Sequence, residues 1–302
     1  MKGLRIVLLI FFLAVAGIYG WDRYERWKTE DVVAPVIRAD TDMLELPVSA
    51  DDKDLMEGMT VHDNVDGDLT GTLIVTSKSN LIGKGTIHVN YAAFDRSMNV
   101  GTYQRTVRYT DYVSPHFSVT APLNALASLN STADLAQYVT AADCLDGDIT
   151  NNIKFVYGTF VADRERNLTF EVTNSVGDTA SIKAVVSLAS DERNFTACPW
   201  LDEYVYYVKS GESIDFDEHL LGAWTGNGGV SMRHNKTFED CFVRYSDEKV
   251  DYQTPGQYSG YASLIQEVET PNPDKDLSED EPDTITEEEV LGTADFYVIV
   301  EE

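Results

Sequence analysis

The sequence predicts an all-β protein: antiparallel β-sandwiches in tandem, behind one N-terminal apolar helix. Three observations predict it. An uncharged run opens the chain between Ile6 and Trp21. Farther on, apolar and polar residues alternate with period two, in short segments bounded by Gly, Asn, Asp and Pro; strands that bury one face have this pattern. Finally, the stretch DNVDGDLT (Asp63–Thr70) returns as DCLDGDIT (Asp143–Thr150), eighty residues later.

The opening run is about sixteen residues long, and at about 1.5 Å of rise per residue it just crosses a bilayer core. Lys2 and Arg5 precede it and favour a cytoplasmic N-terminus. Trp21, Tyr24 and Trp27 follow, where an interfacial aromatic belt falls. Residues 1–28 are therefore expected to anchor the chain in the cell membrane by a single pass, with the C-terminal region extracellular. Ala14–Ala16, reading AVA, also has the small-x-small form that a signal peptidase accepts; cleavage there would give a secreted protein. Both routes export the remainder, and no later segment is apolar enough to span a membrane.

Beyond the anchor, the first expected domain covers residues 33–111 and the second 112–190. APVI (Ala34–Ile37) returns as SPHF (Ser114–Phe117). Leu73 and Val75 correspond to Ile153 and Phe155. In TIHVNYAAFD, Ile87, Val89, Tyr91 and Ala93 alternate with polar or small neighbours, and NLTFEVTN places Leu168, Phe170 and Val172 at the same phase. Tyr103, Val107 and Tyr109 answer to Ile182, Val186 and Leu188. Equivalent side chains therefore face inward in both. A third, degenerate domain is expected over 195–302. TPGQYSGYASL (Thr254–Leu264) resembles the hairpin strand of the first, with Gly256 matching Gly85, and ADFYVIV (Ala294–Val300) closes it. Between them, about 267–292, lies an acidic, Pro-containing stretch with few apolar residues. Such a segment is expected to be a disordered insertion, tolerated because loop closure costs only about 0.6 kcal/mol per doubling of length.

The 302 residues carry a formal charge of −28, which repels phosphates and excludes nucleic acid and anionic membrane surfaces as partners. The three cysteines, Cys144, Cys198 and Cys241, have no knuckle or redox spacing and read as thiols; the alternative is a bridge between Cys198 and Cys241 within the last third of the chain, leaving Cys144 odd. None of His62, His88, His116, His219 and His234 falls in a metalloprotease spacing, and no nucleophile elbow or phosphate-binding loop is present. No enzymatic activity is expected. Four sequons occur, at Asn130, Asn167, Asn194 and Asn235.

The order APVI, DNVDGDLT, YAAFDRSMN (Tyr91–Asn99), GTYQRTVRY (Gly101–Tyr109) resembles the bacterial immunoglobulin-like domains found on Gram-positive surface proteins and appended to some pesticidal crystal proteins. Its layout is similar to hyalin repeats. Met98 stands where that family often has Gly. The second domain keeps the acidic loop but has Asn174 and Asp178 where the first has Asp95 and Asn99. The third lacks the loop, GAWTGNGG (Gly222–Gly229) being assigned to its place. The resemblance covers roughly residues 33 to 190 well and the remainder weakly. It implies immunoglobulin-like sandwiches and an extracellular setting, and no reaction, since such folds host many functions.

The acidic loops admit two readings. In one they are structural turns: Gly67 and Gly147 supply a positive φ, and the flanking aspartates accept backbone N–H bonds. In the other, Asp63, Asp66, Asp68 and Asp95, with Asp143, Asp146 and Asp148, are calcium ligands, being hard oxygens close in sequence. The pattern is not an EF-hand, because its Gly is fifth and no Glu stands twelfth. The turn is the default, so no cofactor is required. The function expected is a cell-surface spacer or adhesion module that binds an extracellular protein or glycan. A calcium-dependent binder and an accessory subunit of an envelope assembly are the alternatives.

Overall fold

A computed structural model describes residues 2–29, 31–125, 135–162, 165–187, 197–225, 228–232, 238, 240–271 and 284–302. The described chain is mostly β-sheet, with one long N-terminal helix. It divides into two compact units, Met1–Tyr112 and Val113–Glu302. The domain boundary expected at 190–195 falls outside the described residues, as do Leu188 and the sequons at Asn130, Asn194 and Asn235.

Helix α1 runs from Lys2 to Thr29. Its stretch Arg5–Glu25 has a mean hydropathy of 1.8 and none of it is buried. Twenty-one residues rise about 31 Å, matching a hydrocarbon core of about 30 Å. It is thus long and apolar enough either to cross a membrane or to serve as a signal sequence.

In the first unit, β1 (Val36–Ala39), β3 (Met59–Asp63) and β4 (Gly67–Asp68) form one sheet. β2 (Met43–Leu46), β7 (Val100–Tyr109), β6 (Thr86–Phe94) and β5 (Ile74–Lys78) form the other, in that order. β2 pairs parallel with β7, and the remaining pairings are antiparallel. A one-turn helix, α2 (Asp52–Leu55), connects β2 to β3 and starts in a capping box between Asp51 and Asp54, which satisfies its first amides. Ile37 and Val61 from one sheet and Ile87, Val89, Tyr91 and Val107 from the other are buried. Tyr91 brings a hydroxyl inward as well, and it donates to Leu55 O at 2.7 Å. This is an immunoglobulin-like sandwich plan.

The second unit holds two further sets of strands. β8 (His116–Val119), β9 (Val139–Asp143) and β10 (Gly147–Asp148) make one sheet. β11 (Lys154–Ala162), β12 (Glu165–Thr173) and β13 (Thr179–Ser187) make another. Tyr91 pairs with Val75 and Tyr103, and Phe170 pairs with Phe155 and Ile182, so the residues matched in the sequence meet across the same strands. β14 (Cys198–Leu201), β16 (Leu220–Trp224) and β17 (Gly229–Val230) form a third three-stranded sheet. β15 (Val205–Lys209), β20 (Thr284–Glu301), β19 (Gly256–Pro271) and β18 (Cys241–Ser246) form a four-stranded one, again with a parallel first pair. The strand order of the first unit is thus present among 198–301. Of the stretch Gly222–Gly229, the described residues 222–225 and 228–229 lie in or beside β16 and β17, and Trp224 opposite Gly229 stands as Asp63 stands opposite Gly67.

One apolar core runs through this second unit. Phe117, Val139, Leu168, Phe170 and Val186 belong to the same buried cluster as Leu201, Tyr204, Phe216, Phe296 and Val298. Glu203 binds the pair from the polar side: its carboxylate accepts from Ser118 Oγ at 2.6 Å and from the Val119 amide. Burial pushes its carboxyl upward despite these donors.

The expected disordered insertion needs correction. Glu267–Pro271 and Thr284–Gly292 are strand, paired residue by residue from Ile265↔Val290 to Pro271↔Thr284; residues 272–283 lie outside the description. Val268, Thr270, Thr284, Ile285, Thr286 and Val290 favour extended backbone, and Arg244 Nη2 offsets some of the charge at 2.9 Å from Glu288. Acidity alone was a poor guide to this ladder.

Candidate functional site

Both acidic stretches fold into the same corner, and the cause is local. After β3, Asp63 Oδ1 accepts the amides of Val65 and Asp66 at 2.8 and 2.9 Å. Asp68 Oδ1 accepts Thr70 N at 2.9 Å, and Thr70 Oγ1 accepts Val61 N at 3.1 Å. After β9, Asp143 Oδ1 accepts Leu145 and Asp146 at 2.8 and 3.0 Å. Asp148 Oδ1 accepts Thr150 N at 2.9 Å and Thr150 Oγ1 accepts Ala141 N at 3.1 Å. Gly67 and Gly147 close the two turns at φ +76° and +70°, a conformation that costs glycine nothing. Each aspartate thus replaces ladder bonds that a tight hairpin cannot make.

These bonds fix the charges. The amides of Asp66 and Val65 hold the Asp63 carboxyl below the usual carboxylate range. The Thr70 and Thr150 hydroxyls and amides do the same for Asp68 and Asp148. Asp68 and Asp148 face these threonines; neither belongs to a cluster of three acidic oxygens among the described residues.

The corners differ in their second layer. Asp66 Oδ2 accepts Arg96 N at 2.8 Å, while Asp146 accepts both Ser175 N and Ser175 Oγ, at 2.6 and 2.7 Å. Asp95 accepts Asn99 N and Nδ2, at 2.7 and 2.6 Å, and Asn99 Nδ2 also reaches Asp31 O at 3.0 Å. Asn174 stands in Asp95's place and donates its own Nδ2 to Asp143 Oδ2 at 3.1 Å. Its Oδ1 accepts Val176 and Asp178 N. The turn after Asp95 uses Met98 at φ +69°, the turn after Asn174 uses Gly177 at φ +77°; a side chain in that region costs roughly 1–2 kcal/mol.

Of the seven predicted aspartates, the structure brings Asp63 and Asp66 together and adds one the sequence reading missed. Asp31, Asp63 and Asp66 each present a carboxylate oxygen, all within 4.8 Å of one another. Asp95 is buried, is not one of these three, and acts through Asn99, whose Nδ2 it shares with Asp31 O. The signal for Asp31 was its spacing: Asp111 follows it by eighty residues. Asp111 is used differently, accepting Val48 N at 2.7 Å.

Elsewhere, a groove of about 270 Å³ in the second unit is lined by Glu248, Lys249, Ser259, Tyr261, Asp295 and Tyr297, among others. His219 Nδ1 lies 3.0 Å from Asp202 and packs on Tyr206. His116 Nε2 lies 3.0 Å from Glu301 and stacks on Tyr207 at 3.8 Å. Cys198 is buried, Cys241 half-buried and Cys144 exposed, with none of the three in a disulfide.

No family model and no curated protein matches the chain. Among solved structures, the CBM51-2 domain in complex with GlcNAc together with INT domains of Clostridium perfringens ZmpB is similar at 15% identity, TM-score 0.22, over 52% of this chain and 42% of that one. The protocadherin GammaB4 extracellular domain is similar at 10% identity and TM-score 0.18, over 88% and 49%. The M60 catalytic domain of ZmpB with CBM51-1 and CBM51-2 is similar at 11% and 0.19, over 89% and 31%. The chain spans less than half the length of each, and at such scores none of them bears on function.

Proposed function

We propose that this protein is a single-pass membrane protein displaying immunoglobulin-like modules outside the cell, as a spacer or a binding surface for a protein or glycan, without catalysing a reaction. One observation carries the reading: helix α1 exposes Ile6–Leu13 with every side chain more than half accessible, and β-sandwich modules follow directly. An apolar helix with no protein cover is stable where lipid covers it. Lys2 and Arg5 orient it with the modules outward. The charge of −28 supports an exposed, soluble exterior and disfavours nucleic-acid partners. The recurring strand plan supports a chain built from copies of one module.

Protease added to intact cells is expected to remove the residues beyond α1 and leave the helix in the membrane fraction. Cleavage seen only after lysis would remove the outward placement. N-terminal sequencing that begins just past Ala16 would replace the anchor with a secreted form.

A further inference from the structure

At the first acidic corner a buried aspartate oxygen lacks the donor that its counterpart has at the second. Asp143 Oδ2 receives the Asn174 amide. Asp63 Oδ2, on a side chain only 1% exposed, has no hydrogen-bond partner. Asp31 Oδ2, on a residue 9% exposed, has none either. A buried anionic oxygen without a donor is a costly arrangement, and neighbouring carboxylates worsen it by repulsion. Arg96 meets Asp66 at 3.6 Å with a side chain 88% exposed, so it lies outside the enclosed oxygens.

We propose that the Asp31–Asp63–Asp66 corner binds one calcium ion, and that the second corner binds none. Two oxygens held about 2.4 Å from one ion lie at most about 4.8 Å apart, and all three carboxylates meet that limit. Oxygen-only ligands select a hard cation over zinc or copper. Asp95 is a positioning residue: it fixes Asn99, whose Nδ2 holds the Asp31 backbone. In the second corner the Asn174 amide occupies the oxygen an ion would use. Asp31 lies two residues beyond Thr29, the last residue of α1, so the ion ties the segment leaving the helix to the β3–β4 turn. The site rests on these side chains alone and holds on either side of a membrane, so its failure and that of the display reading are separable.

The test is calorimetric titration of calcium chloride into the full chain in detergent micelles, after removal of divalent ions with a chelator. The expected result is one ion per chain, with Kd about 0.1–1 mM as in other extracellular calcium modules, and a melting midpoint raised by calcium. Asp63→Asn and Asp31→Asn each preserve a side-chain oxygen for the local amides, and each is expected to weaken binding by about tenfold or more. Asp143→Asn is expected to leave it unchanged. No saturable uptake by about 5 mM, or variants at Asp63 and Asp31 that bind as the unaltered chain does, would overturn the site and assign any heat to diffuse surface charge. Loss of binding in Asp143→Asn would overturn the asymmetry. If Asp63→Asn does not fold, Asp31→Asn decides, since Asp31 precedes the first strand.

Discussion

Replacing Arg105 with methionine is expected to destabilise the first unit by about 2–6 kcal/mol, at about 1–3 kcal/mol for each buried carbonyl left without a donor, a large share of a typical domain's roughly 5–15 kcal/mol. Arg105 lies at an inward position of β7, 1% exposed, between buried positions Gly101 and Val107. Its Nε donates to Thr41 O at 2.9 Å and its Nη1 to Glu57 O at 2.7 Å. Nη2 reaches Asp40 Oδ1 at 2.9 Å as well as Thr41 Oγ1. Methionine fills similar volume but supplies no donor, so two carbonyls lose their partners where water is excluded. The ion pair itself is the minor part, because the Asp40 side chain is 62% exposed; Asp40→Asn should cost about 1 kcal/mol or less. Urea unfolding followed at the first unit measures both. A loss under about 1 kcal/mol for the methionine variant would mean that the carbonyls find other donors. In the second unit Ala184 takes this register position, paired with Leu168 as Arg105 is with Val89, so the device belongs to the first sandwich.

The second large effect is expected from Phe296→Ala, about 3–5 kcal/mol. The ring is fully buried, 4.4 Å from the Phe216 ring centre and 6.2 Å from that of Tyr206. Gly260 leaves it room across the pair β19–β20: a Cβ there would stand 2.5 Å from Phe296 Cζ. Little can collapse into the void, because Tyr206 is held within the strand β15 and Phe216 opens a one-turn helix that runs straight into β16. Since Phe117, Phe170 and Phe296 share one cluster, the loss should reach residues 113–187 as well. Hydrogen exchange is expected to speed up at the β9 and β12 amides together with those of β19. Faster exchange confined to 198–301 would show that the two stretches unfold separately.

Much of this architecture was legible in the sequence, for a physical reason. Period-two alternation reports which face of a strand is buried, and Tyr91, Phe170 and their cross-strand partners sit where that phase puts them. The aspartate turns were legible too, since an Asp side chain bonding the amides two and three residues on is a local event. What was missed depends on distant neighbours. Arg105 looks like a charged interruption of a strand until Thr41 and Glu57 carbonyls converge on it. Asp31 lies in the short connection between helix and sandwich, and only the fold carries it to Asp63. The strands at Glu267–Pro271 and Thr284–Gly292 were hidden because composition averages over residues, whereas a ladder needs only backbone pairing and some β-formers among the acids.

The central claim, that these modules stand outside the membrane, is tested most directly by the thiols. Cys144 is exposed and lies in the second acidic corner, its Sγ 3.1 Å from Val113 O. Cys198 is fully buried, and burial pushes its thiol well above the ordinary range. Intact cells treated with a membrane-impermeant maleimide should label this chain, to the extent seen for the purified protein, and Cys144→Ser should lose most of that label. Labelling of the purified chain and of lysates, with none on intact cells, would contradict the account.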